Sequence, residues 1–201
     1  MAQGTWTQCI FAGMGTDCTT TPVSVSRQTM TTNSTEFNQP IIPAGTFKRE
    51  TAVRIEAAGI VGADNTAGRT VTIEVFFGTT AGSSFITVGA GTGVTVGITP
   101  AMVLLQNAAN LWWRLQLDLT CTVAGIGASA TTLAGCGNVE GSTAFVSPFN
   151  YPLLPAQAST YTCAIDRALT QYVNLVVQFS SNAAGNTIQL KAGQWRAFLL
   201  N

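Results

Sequence analysis

The sequence contains no histidine, and this absence removes a large class of chemistry. Without an imidazole there is no Ser-His-Asp or Cys-His arrangement, and the commonest metal ligand is missing. Charged residues are also scarce, at 9% of the 201 residues, against about 25% in an average soluble domain. The nine basic and nine acidic residues cancel, so no basic surplus can neutralise phosphates. We therefore expect no nucleic-acid partner.

Long apolar runs are missing as well. Every apolar stretch is interrupted within a few residues, whereas a membrane-spanning helix needs about 20 predominantly apolar residues. The first residues also lack the positively charged segment and apolar run of a secretory signal peptide. These patterns predict a protein with no membrane partner that is made and assembled in a cytoplasm.

The five cysteines are odd in number and show no C-x-x-C spacing, which indicates neither a complete disulfide framework nor a zinc ribbon. We expect reduced thiols that pack as small apolar side chains, and no metal or other cofactor. One disulfide pairing remains an open alternative. Cys121 and Cys136 flank a turn expected at residues 125–130 at similar distances from its centre, and they could then face each other across a hairpin.

The clearest periodic pattern covers residues 111–123, where odd positions are apolar and even positions from Arg114 to Thr122 are polar. An alternation with a period of two predicts a half-buried antiparallel strand. Residues 53–57, 70–77 and 172–179 repeat it. The side chains on the inward registers are the predicted core: Ile55, Ile73, Val75, Trp113, Leu115, Leu117, Val173, Leu175 and Val177.

Weaker strand patterns, separated by clusters of Gly, Asn, Ser and Pro, raise the expected total to about ten short strands. This number favours an all-β fold, an antiparallel β-sandwich of jelly-roll type. Helix patterns are sparse: residues 101–109 and 166–171 could form a turn or two, with Asp166 as the N-cap. Residues 1–22 differ in composition and are interpreted as an N-terminal arm, which leaves residues 23–201 as a single domain.

No catalytic constellation emerges from the sequence. Ser129 lies in a glycine-rich turn without a base to activate it, so it is interpreted as a turn residue. The nine carboxylates are scattered singly along the chain rather than paired. Arg54 with Glu56, and Arg114 with Asp118, share strand faces and are interpreted as solvated surface charges. We predict that the protein is not an enzyme.

The aromatic residues offer candidates for a binding surface instead. Trp113 belongs to the inward register, whereas its neighbour Trp112 is on the opposite register, where an interface and local packing are equally favoured. Exposed aromatic side chains are typical of interfaces. The candidate interface residues, drawn from this position and from near the two termini, are Trp6, Ile10, Phe11, Trp112 and Trp195.

Several segments resemble a pattern that recurs in virion proteins of tailed bacteriophages. The resemblance covers roughly residues 40–200, and residues 113–115 take the place of the central strand. Its motifs are strand and turn motifs, and they comprise residues 42–46, 53–57, 165–166, 168–171, 173–179 and 184–188.

The resemblance implies a jelly-roll domain exposed on a phage particle. Our leading hypothesis is a head cement or decoration protein that binds the outside of the head and bridges subunits of the major capsid protein. Such proteins commonly form trimers, so the resemblance also implies a homotrimer. The alternative is a receptor-binding or carbohydrate-binding domain of a tail or tail fibre. The resemblance implies no catalytic residues. We expect the arm at residues 1–22 to be detached from the sandwich and ordered by contact with the capsid lattice or a neighbouring subunit.

Overall fold

A computed structural model describes most of the central and C-terminal chain and short stretches of the N-terminal region. The described residues are 7–12, 18–20, 28–29, 41–79, 93–127, 130–141, 150–153, 162–181, 183, 185–191, 194 and 196–200. In these ranges the chain forms strands, turns and irregular segments and no α-helix. No helix in the described part is therefore long and apolar enough to cross a bilayer.

The strands fall into two antiparallel sheets. In chain order they are β1 (Thr7–Ala12), β2 (Cys18–Thr20), β3 (Gln28–Thr29), β4 (Ile41–Ile42), β5 (Ala52–Gly62), β6 (Thr70–Gly78), β7 (Gly93–Ile98), β8 (Met102–Val103), β9 (Leu111–Ala124), β10 (Thr131–Gly141), β11 (Asn150–Leu153), β12 (Thr162–Ile165), β13 (Gln171–Phe179), β14 (Thr187–Leu190) and β15 (Arg196–Leu200).

The larger sheet has the order β1-β15-β5-β9-β10-β11. β14 pairs with the same edge of β5 as β15 does, and β2 pairs with β14. β12 pairs with β10. The smaller sheet has the order β3-β13-β6-β7, with β4 on β13 and β8 on β6. Most neighbours in space are distant in the chain, and the chain crosses repeatedly between the sheets. The predicted all-β sandwich of jelly-roll type is confirmed.

The core fills the space between the sheets. All nine side chains of the predicted core are at most 1% exposed, so the inward registers are confirmed. Trp113 is the largest of them, and its indole Nε1 donates a hydrogen bond to the carbonyl oxygen of Ile60 at 3.2 Å. Gly59 lies beneath it, where a Cβ would come within 1.7 Å of the Gln189 carbonyl oxygen. Only glycine fits that close strand approach.

The outer face of the smaller sheet is also buried, which the sequence pattern did not predict. Glu74, Phe76 and Val176 point away from the main core, yet each is less than 10% exposed. The Thr95 hydroxyl donates a hydrogen bond to the Glu74 carboxylate, which supplies one polar partner for this buried charge. Strands β6 and β13 therefore lie between two apolar layers.

The described parts of the N-terminal arm are strands of the large sheet. β1 pairs with β15 so that Thr7 lies opposite Leu200, and β2 pairs with β14. The backbone partners of these two strands lie in the chain itself, which differs from the expectation of a detached arm. The domain boundary at residue 22 stays a prediction, because residues 21–27 are outside the described residues.

The two short helices expected from the sequence are absent from the described residues. Met102–Val103 forms β8 instead, because it pairs with the start of β6. Asp166 accepts a hydrogen bond from the Ala168 amide at 2.9 Å, so its expected capping contact closes a turn rather than starting a helix.

The hairpin between β9 and β10 separates the two cysteines that were left open as a pair. Cys121 lies opposite Leu133 and is buried, whereas Cys136 lies opposite Asp118 and is exposed. An irregularity in the register between Thr132 and Leu133 shifts the pairing. The thiols are on opposite faces of the sheet and both are free, which rules out the bridge.

Candidate functional site

The predicted interface residues are only partly within the described structure. Trp112 is 50% exposed and lies on the outer face of the large sheet. Ile10 and Phe11 lie on β1, for which only the backbone is described, and Trp6 and Trp195 fall outside the described residues. Trp112 is therefore the only one of the five whose side chain can be placed among the described residues, and its place in an interface stays a prediction.

The outer face of the large sheet collects much of the chain's charge. It carries three of the nine basic and three of the nine acidic residues, on outward registers of β5, β9, β10 and β15. We call this surface the polar face; its polar members are Arg54, Glu56, Arg114, Gln116, Asp118, Asn138, Glu140 and Arg196. Positive and negative side chains are equal in number on it.

One ion pair joins the two central strands of this face. Arg54 lies opposite Asp118, and its Nε and Nη2 atoms donate to the two carboxylate oxygens at 2.7 and 2.9 Å. This two-point hydrogen bond raises the pKa of Arg54. The sequence placed Arg54 and Glu56 on one strand face as surface charges, and the structure adds Asp118 of the neighbouring strand as the hydrogen-bond partner of Arg54. Because both side chains are partly exposed, the pair contributes little to stability.

The neighbouring arginine on β9 is not neutralised in this way. Arg114 is exposed, and among the described residues its guanidinium makes no hydrogen bond or ion pair. Glu140 lies opposite it in register, but the Glu140 carboxylate accepts a hydrogen bond from Asn138 Nδ2 at 2.7 Å instead. The donors of Arg114 are therefore free to meet a ligand or water.

The end of the sandwich that carries the β9–β10 turn exposes several large apolar side chains, beside the exposed charged residues 48–50. We call it the hairpin end; it comprises the chain around residues 41–50, 123–127 and 166–170. Four of the six large apolar side chains that are exposed among the described residues lie here: Ile41, Val123, Ile126 and Leu169. Ile126 at the turn is 75% exposed and Leu169 is 48% exposed.

Hydrogen bonds to backbone oxygen atoms hold the hairpin end in place. Arg167 Nε donates to the carbonyl oxygen of Gly125 at 3.0 Å, and Arg167 Nη1 donates to that of Phe47 at 3.4 Å. The Gly45 amide donates to the Arg167 carbonyl oxygen at 2.8 Å, and the Thr131 hydroxyl donates to Gly125. One arginine thus ties three segments together and fixes the position of the apolar tips.

The opposite end of the sandwich is polar. We call it the amide end, and its members are Asp64, Asn65, Gln106, Asn107 and Asn186. Gln106 Nε2 and Asn107 Nδ2 donate to the Asn65 side-chain oxygen at 2.8 and 3.1 Å, and Asn186 Oδ1 accepts the Asp64 amide at 3.0 Å. Asn107 has φ of 57°, a left-handed conformation that asparagine tolerates better than most residues.

An ion pair anchors the amide end. Arg69 Nη2 lies 3.2 Å from Asp64 Oδ2, and hydrogen bonding to Arg69 lowers the pKa of Asp64. Asp64 Oδ1 also accepts the Thr66 amide at 3.1 Å, which closes the turn after β5. The described residues hold no group of three or more potential His, Cys, Asp or Glu metal ligands, at this end or elsewhere.

The described thiols differ in exposure. Burial raises the pKa of Cys163 to about 12 and also raises the pKa of Cys121. A thiol is nucleophilic only as the thiolate, so these two behave as small apolar side chains. Cys136 is exposed on the outer face of β10.

Sequence reasoning missed the hairpin end as a candidate surface. Ile126 was seen only as part of a turn, and Leu169 only as part of a recurrent motif. An apolar residue at the tip of a glycine-rich turn was the available signal, because a turn places its side chain beyond the core. The polar face was seen as separate strands, and only their register brings its charges together.

No protein-family model matches this chain, and no curated protein matches it. Among solved structures, a PL-14 alginate lyase from Aplysia kurodai matches 94% of this chain and 98% of its own, at 7% identity and a TM-score of 0.38. The carbohydrate esterase vb_24B_21 from the Shiga toxin-encoding bacteriophage phi24B matches 98% of this chain and 100% of its own, at 8% identity and a TM-score of 0.39. Both neighbours are enzymes, but at TM-scores below 0.5 neither activity transfers to this chain.

Proposed function

We propose that the chain is a structural virion protein, a cement or decoration protein of a tailed phage. It binds the outside of the phage head and bridges neighbouring subunits of the major capsid protein, without catalysis, cofactor, nucleic acid or membrane. The observation that carries the proposal is the hairpin end, where apolar side chains are held in solvent by a hydrogen-bonded scaffold. The resemblance to phage virion proteins supports it.

The hairpin end suits protein contact for a physical reason. Burying Ile126 and Leu169 against a partner removes apolar area from water, at about 25 cal/mol per Å². Because Arg167 already fixes the surrounding backbone, little further ordering of the loops opposes binding. One such patch is small. In a homotrimer, three patches would act together, since after the first contact the others form at high effective concentration.

Binding to heads tests the proposal directly. Purified heads of the encoding phage, stripped of the protein, are incubated with wild-type or variant chain and sedimented. We expect Ile126→Asp and Leu169→Asp together to reduce bound protein by about tenfold or more, because each places a charge in an apolar contact. The matched control is Leu105→Asp, an exposed leucine near the amide end, which should bind as wild type.

Two results would contradict the proposal. One is full occupancy of heads by the double variant at unchanged thermal stability. The other is immunogold labelling of intact particles that places the chain on the tail alone. That position would support the alternative, a receptor-binding or carbohydrate-binding domain of the tail or tail fibre, for which the exposed Trp112 is the favouring observation.

A further inference from the structure

Strand β9 presents a row of three functional side chains on the polar face. Trp112, Arg114 and Gln116 occupy successive outward positions, each two residues from the next. Outward neighbours along a strand are about 6.5–7 Å apart, so the row extends about 13 Å along the sheet. It lies in the middle of the large sheet, between β5 and β10, and its geometry is set by the strand backbone rather than by loops.

Trp112 supplies the apolar part of this row. Its side chain is half exposed, and Ile60 lies opposite it on β5. Ala58, the next outward position of β5, lies opposite Arg114 and adds only a methyl group beside the guanidinium. An exposed indole above a flat sheet offers a rigid apolar face, which suits a ligand with one flat apolar side.

Polar groups with unused hydrogen-bonding capacity lie directly beside the Trp112 indole. The Arg114 guanidinium carries five donor hydrogens and has no partner among the described residues. Glu140, its cross-strand neighbour, accepts one hydrogen bond at Oε1 and has further acceptor capacity. Gln116 adds an amide, and its only side-chain hydrogen bond within the described part of the chain is a long one of 3.4 Å to Asp118.

The charge balance of the face selects among ligands. Three arginines and three carboxylates alternate on it, so a polyanion or a polycation would meet repulsion as well as attraction. An apolar protein surface would have to remove these charges from water, which is costly. Neutral hydroxyl groups both donate and accept hydrogen bonds, and they can satisfy Arg114 and Glu140 together without adding charge.

We infer that the polar face binds a neutral oligosaccharide along β9, with a pyranose ring on Trp112 and its hydroxyls hydrogen-bonded to Arg114 and Glu140. This site is separate from the hairpin end, since β9 carries the row in its first half, towards the amide end, and its turn at the far tip. It therefore does not depend on the proposed attachment to the head. The face would give a head-bound protein a contact with host glycans.

Binding of defined sugars tests the site. Maltohexaose, cellohexaose and chitohexaose serve as neutral probes, and an alginate hexamer serves as the acidic comparator, each titrated by calorimetry and by saturation-transfer NMR. We expect at least one neutral hexamer to bind in the millimolar range or tighter. Trp112→Ala should weaken it by about tenfold, Trp112→Phe less, and Arg114→Ala by about fivefold. Ile126→Ala, at the hairpin end, should leave it unchanged.

Several outcomes would overturn the inference. They are no binding of any neutral hexamer at about 10 mM, binding of the alginate hexamer alone, or binding that Trp112→Ala leaves intact. Far-UV circular dichroism checks that each variant folds. Arg114→Ala, which removes an exposed side chain without a partner, provides a second measure should Trp112→Ala disturb the sheet. Failure here leaves the head-binding experiment unaffected, because that experiment changes Ile126 and Leu169.

Discussion

The two ends of the sandwich are built with similar bonds but expose opposite chemistry. At the hairpin end, Arg167 turns its donors inward to backbone carbonyls, and apolar side chains such as Ile126 are left in water. At the amide end, the polar side chains bond to one another, and Asn65 receives two of their donors. Order alone therefore does not mark a binding surface. A binding surface is distinguished by the kind of side chain, apolar or polar, that the ordered residues leave exposed.

A core substitution gives the largest expected effect and tests whether the two ends share one folding unit. Leu117 is fully buried in the middle of β9, between them. We expect Leu117→Ala to lower the free energy of unfolding by about 2–5 kcal/mol, through lost apolar burial and the cavity left behind. Denaturant melting measures it, and hydrogen exchange should show protection falling at both ends. Loss at one end alone would show that the ends unfold separately.

Removing the arginine at the hairpin end gives the next largest effect. Arg167→Ala leaves the Phe47 carbonyl without this donor and Gly125 with one donor fewer, so we expect a loss of about 1–2 kcal/mol by denaturant melting. The matched control is Arg69→Ala at the amide end. Its ion pair with Asp64 is partly exposed, and we expect a change of less than about 1 kcal/mol. Equal losses would remove the distinction between a scaffolding and a surface arginine.

The smallest expected effect is a change in stability at low pH, which comes from the amide end. Arg69 lowers the pKa of Asp64, so the stability that this carboxylate contributes is present above its unfolded pKa of about 4. It is lost as the pH falls through the lower folded pKa. The stability difference between wild type and Asp64→Asn should thus be constant near neutrality and shrink below about pH 4. In an Arg69→Ala background this dependence should weaken; if it does not, Arg69 is not its cause.

The sequence predicted the strands in which the inward register alternates most clearly, namely β5, β6, β9 and β13. Residues 111–123 were expected as a strand and β9 is Leu111–Ala124, because a period of two follows directly from one face in the core and one in water. The same rule also placed Trp113 inward. For Trp112, the pattern predicted the face of the sheet on which the side chain lies. It did not predict how exposed that side chain is, because exposure depends on neighbouring strands.

The rest of the fold depends on contacts between distant residues. Glu74 and Val176 are buried because the outer face of the small sheet is covered too, and alternation along one strand cannot reveal a second covered face. The disulfide between Cys121 and Cys136 that was left open fails because the register of β9 and β10 places Leu133 opposite Cys121 and Asp118 opposite Cys136. The polar face could not be predicted at all, since it needs the order of β5, β9 and β10 in the sheet.

The antiparallel pairing of β1 with β15 makes the connectivity of the chain nearly circular. Thr7 lies opposite Leu200, and Leu200 also lies opposite Ala52. The first strand therefore begins, and the last strand ends, at the hairpin end. A short linker from the last strand to the first would close the ring and preserve every strand pairing. New termini could then be opened at the amide end, in the turn near Thr66. In such a circular permutant, fused cargo would point away from the apolar tips.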